Sequence, residues 1–359
     1  MKPSPFPWMM AALLAAPLAH AQSGPPELTP EQVTAAANNY QRYCALCHGD
    51  ERQGHVNDHA PSLKSASLIS SAFPMILGEA IAYGRNGTPM GAYLDEVGGP
   101  MTRREIMEMT LWLRQVADVE PVEIGFEIIS GDATAGETTY QAHCAECHGR
   151  EGEGGTGTAL GNPTMLALSP DAFLRHAIVH GREDTPMPSF ADKLTDAEID
   201  NVTAFLRSRS TGWSVSEREL RKPPALDAAI INPEGDAPKF ELRDGRYVMA
   251  AELDREMKAK RRMVLLDTRV TSMWQLAHLE GSVPLPYYAD RNAVVGSLPR
   301  DGTWIVAYCE CPRAAADSVV RWLREDGFAN TAVLYEGIQG WVALGYPVTA
   351  GDASAVAAE

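Results

Sequence analysis

One five-residue pattern occurs twice in this chain and constrains everything around it. It reads Cys44-Ala45-Leu46-Cys47-His48 and again Cys144-Ala145-Glu146-Cys147-His148, each followed by glycine. Cys-x-x-Cys-His is the attachment pattern of haem c. The two thiols form thioethers to the porphyrin, and the next residue reaches the iron as an axial imidazole. The two-residue gap suits one helical turn, which brings both sulfurs to the same edge of a ring. Zinc would need four converging ligands. A dithiol redox motif would need a strand–helix–strand setting, which this part of the chain lacks. Cys44, Cys47, Cys144 and Cys147 are therefore read as covalent attachment points for two haem c groups, with His48 and His148 as proximal ligands.

The two motifs belong to an internal repeat. Tyr40 matches Tyr140. Gly84-Arg85-Asn86-Gly87-Thr88-Pro89-Met90 matches Gly181-Arg182-Glu183-Asp184-Thr185-Pro186-Met187. Thr102 to Ile106 matches Thr195 to Ile199, and both stretches run on to Leu-Arg, at Leu113-Arg114 and Leu206-Arg207. The offset shrinks slowly along the chain, as loop-length differences would make it. Two copies indicate duplication rather than a solenoid, which needs more. Thr102 and Thr195, each with Glu three residues on, read as helix N-caps with capping boxes. Ile106, Met109 and Leu113, like Ile199, Val202 and Leu206, recur at helical spacing. A module of this size has a thin core, to which a covalent haem adds apolar mass.

These residues resemble the class I cytochrome c family over about residues 30–120 and 131–210. The resemblance implies two all-α domains in which terminal helices cross and loops wrap the haem. It also implies a loop methionine as the sixth iron ligand. Met90 and Met187 occupy matching Thr-Pro-Met positions, 42 and 39 residues after their histidines. His55, His59, His176 and His180 are the rival ligands. The repeat favours methionine, because His176 and His180 fall opposite Glu79 and Tyr83 in the first copy. Two irons ligated on both sides move electrons rather than bind substrate.

The rest of the chain says where this chemistry is expected. Lys2, an apolar run from Trp8 to Leu18 and Ala19-His20-Ala21 read as a signal peptide, residues 1–21, cleaved after Ala21. The expected location is the periplasm. The run is too short to span a bilayer, and no later stretch reaches about 20 residues, so no integral membrane segment is expected in the mature chain. With 31 Lys plus Arg against 47 Asp plus Glu, the net charge is −16. Such a chain has no general attraction for nucleic acid or anionic lipid. Redox proteins, as electron donor and acceptor, are the expected partners, together with a small sulfur compound suggested by the C-terminal third.

Residues 211–244, with Pro223, Pro224, Pro233 and Pro238, read as a linker along which Trp213 and Ile230-Ile231 could dock. Beyond them, short apolar strands (263–266, 304–308, 331–335) alternate with helices (250–260, 272–278, 314–325), which implies an α/β domain with a parallel sheet. Cys309 falls just past the carboxyl end of a buried strand, where open α/β sheets bind ligands. Leu265-Leu266-Asp267-Thr268-Arg269, His278 to Pro284, Gly337-Ile338-Gln339-Gly340-Trp341 and Gly345-Tyr346-Pro347-Val348 resemble the rhodanese family over about residues 245–349. The resemblance implies Cys309 as a nucleophile that carries sulfane sulfur. The family's usual loop is Cys-x-x-Gly-x-Arg. Here Pro312 removes an amide from it, Ala314 replaces the arginine, Arg313 comes one residue early, and Glu310 adds negative charge. Cys311 is an addition that would resolve a persulfide on Cys309 or pair with it. Asp267, Arg269 and His278 are read as structural.

The chain thus reads as multidomain, with two all-α cytochrome c domains ahead of an α/β rhodanese-like domain. Three functions follow from it: an electron carrier with an accessory domain, a sulfur oxidoreductase or sulfurtransferase working through Cys309, and a cytochrome docked to its partners by a silent rhodanese-like module.

Overall fold

The computed structural model describes residues 27–57, 59–72, 74–85, 87–210, 220–310 and 313–350. The segment read as a signal peptide, Trp213, Cys311 and Pro312 lie outside the described residues.

The first copy contains α1 (Pro30–Tyr43), α2 (Ala45–His48), α3 (Ala66–Ser71), α4 (Pro74–Tyr83) and α5 (Arg103–Ala117). The second contains α6 (Ala133–His143), α7 (Ala145–His148), α8 (Pro163–Leu168), α9 (Asp171–His180) and α10 (Asp196–Ser208). Thr102 and Thr195 do cap α5 and α10, each with its capping box complete. A cap of this kind stabilises by about 1 kcal/mol. Behind the caps, Ile106, Met109 and Leu113 on α5 are buried, and so are Ile199, Val202 and Leu206 on α10. In each copy the first and last helices pack together, α1 on α5 and α6 on α10.

The repeat extends to single hydrogen bonds. Arg114 donates to the carbonyls of Ile69 (3.3 Å) and Ala72 (2.6 Å). Arg207 donates to the carbonyl of Leu166 (2.6 Å) and to that of Ser169, and it also pairs with the buried carboxylate of Asp171 (2.6 Å). Each arginine thus covers the exposed carbonyls at the end of a short helix, α3 or α8. These are groups that a helix leaves without internal partners. Arg207→Ala is expected to destabilise the second copy by roughly 2–3 kcal/mol, because the buried Asp171 loses its charged partner. Chemical denaturation of the haem-loaded protein, followed at the Soret band, checks this.

The C-terminal part carries α11 (Ala250–Lys258), α12 (Thr271–Leu276), α13 (Arg291–Ser297), α14 (Ala314–Glu325) and α15 (Gly337–Ala343) around a six-stranded sheet. Its strands are β1 (Ile230–Ile231), β2 (Tyr247–Val248), β3 (Met263–Asp267), β5 (Val283–Pro284), β6 (Trp304–Tyr308) and β7 (Thr331–Leu334); β4 (Ala277–His278) pairs separately with β8 (Thr349–Ala350). The path is β1-β3-β6-β7-β2, with β5 also on β3. All pairings within the six-stranded sheet are parallel except β1 on β3. The central strands are buried along nearly their whole length, as their unbroken apolar runs require.

Two details differ from the sequence expectation. Ile230-Ile231 does not merely rest on the surface but adds an antiparallel edge strand, opposite Val264 and Met263. The helix expected over 272–278 ends at Leu276, and Ala277-His278 turns into β4. Arg269 explains the break: its Nη2 donates to the Ala277 carbonyl at 2.6 Å, which fixes that peptide outside the helix.

Candidate functional site

In each copy one residue hinges the haem motif. Cys44 and Cys144 end the long helix and start the four-residue one, and the amides of His48 and His148 bond back to the Cys44 and Cys144 carbonyls (2.9 and 3.0 Å). The hydroxyl of Tyr40 donates to the Gly49 carbonyl at 2.8 Å, and that of Tyr140 to Gly149 at 2.8 Å. These tyrosines pack on Trp112 and Phe205 of the closing helices. Nδ1 of His48 lies 2.8 Å from the Pro61 carbonyl and Nδ1 of His148 lies 2.8 Å from the Thr158 carbonyl. A carbonyl only accepts, so Nδ1 carries the proton and Nε2 is left with its lone pair, the arrangement of a metal-binding imidazole. Burial lowers both histidine pKa values, opposed by those carbonyl bonds, which favours the neutral ring. Burial pushes the Cys44 thiol up to about 12 and the Cys144 thiol up to about 11.

The methionine loops are built alike. Gly84 and Gly181 both have φ of +69°, and a Cβ on Gly84 would sit 2.4 Å from the Met90 carbonyl oxygen. The amide of Arg85 donates to the Met90 carbonyl (2.7 Å) and that of Arg182 to Met187 (3.0 Å). The hydroxyls of Thr88 and Thr185 donate to the Arg85 and Arg182 carbonyls (both 2.7 Å) and accept from the Met90 and Met187 amides (3.2 and 3.1 Å). The Thr-Pro-Met signature is thus a closed turn that holds the methionine in place.

The motif cysteines and histidines and the two loop methionines face one cavity of about 790 Å³. Cys44, Cys47, His48 and Met90 line it, as do Cys144, Cys147, His148 and Met187. Single ligand pockets run to roughly 300–1,000 Å³, so this volume is in the range a large prosthetic group needs. The donor set fits haem c, with paired thiols, an imidazole and a thioether presented to an apolar interior. A further observation supports the fit. Arg85 lines the cavity half-buried, and its buried Nη1 has no hydrogen-bond partner among the described residues. Burial lowers Arg85 to about 10 and Arg182, mainly by the same cause, to about 10, so both stay cationic at neutral pH. A buried, unsatisfied guanidinium nitrogen calls for an anion, and the carboxylates of a haem supply one.

Of the rival ligands, His55 and His59 also line the cavity, whereas His176 and His180 do not line it; their rings lie 4.2 Å apart on α9. Among the described residues no group of three or more His, Cys, Asp or Glu side chains could hold a separate metal ion.

The C-terminal domain closes this cavity from one side. Cys309 follows β6, is 4% exposed, and lines the same space, together with Glu310, Arg269, Val270, Tyr287, Ala315 and Gln339. Its thiol donates to the Glu310 carbonyl at 3.2 Å. Arg269 binds Asp267 through Nη2 (2.6 Å) and Glu310 through Nη1 (2.9 Å), all three being buried. Burial opposes the Arg269 charge, but Asp267 and Glu310 outweigh it and hold its pKa above the usual value. Arg269 therefore links Asp267, on the strand, to Glu310, beside Cys309. Arg313 takes no part in this cluster: it donates to the Tyr335 carbonyl (2.7 Å) and stacks on the rings of Tyr247 and Tyr335.

The contact with the first copy is close. The hydroxyls of Tyr93 and Tyr287 are 2.9 Å apart, and both donate to the Tyr43 carbonyl, one residue before Cys44, at 3.1 and 2.5 Å. Gly91, beside Met90, leaves no room for a Cβ, which would meet Val270 Cγ1 at 2.2 Å. Helix α14 packs on α2, the helix of the first haem motif.

Sequence reasoning assigned no role to Arg85, Arg182, Tyr287 or the Arg269–Glu310 pair. The two loop arginines had a signal, since both copies retain them between the glycine and the methionine. Tyr287 had none, because its meaning depends on a contact with residues more than 190 positions away.

Comparison with known proteins supports both halves. Residues 131–206 match a family model described as cytochrome c oxidase, cbb3-type, subunit III, and residues 249–344 match the rhodanese-like domain. The chain is 39% identical over 85 residues to dihydro-heme d1 dehydrogenase of Pseudomonas aeruginosa, an overlap of 23% of this chain and 17% of that protein. It is 28% identical over 95 residues to cytochrome c6 of Thermosynechococcus vestitus, covering 24% of this chain and 79% of the relative. Among solved structures it is similar to a rhodanese-related protein from Thermoplasma volcanium, at 25% identity and a TM-score of 0.25 over 29% of this chain and 97% of that one. The chain therefore consists of a cytochrome c region, similar to the cbb3-type subunit III and cytochrome c6 families, followed by a C-terminal rhodanese-like domain.

Proposed function

We propose that this chain is an exported electron carrier holding two covalent haem c groups, one in each copy of the repeat. Cys44 and Cys47 attach the first, with His48 and Met90 as axial ligands. Cys144 and Cys147 attach the second, with His148 and Met187. The observation that carries this reading is the duplication of the whole arrangement, down to the histidine–carbonyl bond and the Thr-Pro-Met turn, around one continuous cavity. A haem ligated on both faces supplies one-electron transfer without an open position for substrate. The chain's own work is to hold Nε2 of each histidine unprotonated, to neutralise the haem carboxylates with Arg85 and Arg182, and to keep water out.

Export agrees with haem c attachment, and no helix among the described residues is long and apolar enough to cross a membrane. Partner redox proteins supply and remove the electrons. The rhodanese-like domain, through Cys309, links the carrier to sulfur compounds.

Haem quantitation and a redox titration test the reading. Two haems per chain and two one-electron waves are expected; a single haem would overturn it. A chain ending at Ser210 is expected to mature with both haems, because every proposed ligand lies before that residue. Its first haem should be the less stable one, since removing the C-terminal domain uncovers Tyr43, Tyr93 and Met90. Thermal loss of the Soret band in the short and full chains measures this.

A further inference from the structure

The pocket beside Cys309 contains a second reactive group that the family resemblance does not supply. Glu310 is 6% exposed, lines the cavity, and its Oε2 has no hydrogen-bond partner among the described residues. Its other oxygen is held by Arg269. The arginine's charge is already shared between two carboxylates, so the trio of Asp267, Arg269 and Glu310 adds no net positive charge to the pocket. Arg313, the other cation of the loop, is committed to Tyr247 and Tyr335. A dianion such as thiosulfate would be repelled by the two carboxylates of this trio. A small species of single negative charge fits better. The pocket opens into the space that Cys44, Cys47 and Met90 also line.

We infer that Cys309 and Glu310 form a binding and reaction site for hydrosulfide, facing the first haem group across the shared cavity. The inference rests on the two-haem reading above. The Cys309 thiol and HS⁻ join through a new S–S bond, and the S–H bond of each breaks. Cys309 becomes a persulfide anion, and two protons and two electrons are released. Glu310 takes one proton at Oε2 and solvent takes the other. The electrons pass singly to the ferric irons of the two haems, which are the oxidant. Burial pushes the Glu310 carboxyl up, against the pull of Arg269, as a proton acceptor in such a site requires.

The test uses the full-length, haem-loaded ferric protein under anaerobic conditions, with sodium sulfide as the probe. Mass spectrometry of the Cys309 peptide should show one added sulfur, about 32 Da. The haem absorption should report two electrons taken up per added sulfur. Thiosulfate should give neither signal. Cys309→Ala should lose the adduct and the fast phase of haem reduction, leaving only slow direct reduction by sulfide. Glu310→Gln, which preserves the contact to Arg269, should slow the fast phase by about 100-fold. The inference is overturned if the wild-type protein gains no sulfur at Cys309, or if sulfide reduces Cys309→Ala as fast as wild type. Titration with dithionite separates the two failures. Two reducible haems without a Cys309-dependent phase would sink the sulfide site and leave the electron carrier intact. Fewer than two would sink both.

Discussion

Replacing Cys144 and Cys147 together by serine is expected to halve the haem content and to unfold the second copy of the repeat. The cavity that the attachment residues line measures about 790 Å³ across the two copies. Leaving half of it empty would cost roughly 9 kcal/mol at ~24 cal/mol per Å³. That is comparable with the entire stability of a domain, about 5–15 kcal/mol. The apolar wall formed by Phe173, Leu174, Val202 and Leu206 would therefore collapse or melt rather than stay open. Haem staining should show one haem per chain, and far-ultraviolet circular dichroism should lose part of its helical signal. Retention of two haems would disprove attachment at this motif.

Met187→Ala is expected to act on chemistry with little effect on folding. Met187 is only partly buried, at the edge of the core cluster around Tyr140 and Phe173, and its loop is held by backbone and Thr185 hydrogen bonds that the substitution spares. Loss of the thioether removes the ligand that favours Fe(II). The potential of one haem should fall by a sizeable part of the ~0.8 V range that axial ligands control. That iron should also accept an added ligand such as imidazole or cyanide. The weak sulfur-to-iron band at the red end of the ferric spectrum should drop to the share of the first haem. An unchanged spectrum and potential would show that the sixth ligand lies elsewhere. The same substitution at Met90 carries extra information, because His55 and His59 line the cavity there and are the candidates to replace it.

Much of the haem site was legible in the order of residues. Cys-x-x-Cys-His is a local pattern, and a single helical turn suffices to place its three ligands. The methionines proposed as axial ligands could be picked out because the chain contains its own comparison: two loops that differ in length still keep Thr-Pro-Met. The capping threonines, the α5 and α10 stripes and the strands bracketing Cys309 were equally local, being settled by hydrogen-bonding capacity and apolar periodicity within a few residues. The break at Ala277 was not, since it depends on a guanidinium eight residues back that turns inward to reach a carbonyl.

By itself the sequence determined what each segment offers: two Cys-x-x-Cys-His motifs, two matched methionine turns, and a cysteine at the carboxyl end of a buried strand. Only the tertiary structure decided that these segments share one interior. Tyr287 meets Tyr93 across 194 residues, Gly91 lets Val270 approach the methionine loop, and Glu310 is buried beside Cys309 with one oxygen unsatisfied among the described residues. In the sequence the 309–314 loop lacks the family's glycine and arginine and adds Glu310 and Cys311. In the structure Arg313 packs on the rings of Tyr247 and Tyr335, and Arg269 holds Glu310 instead. The physical reason is the range of the forces involved. Attachment chemistry, capping and periodicity act over a few residues and are written in their order. The burial of a carboxylate, and the face on which a domain closes, depend on surfaces far apart in the chain, which meet only when the whole of it is packed.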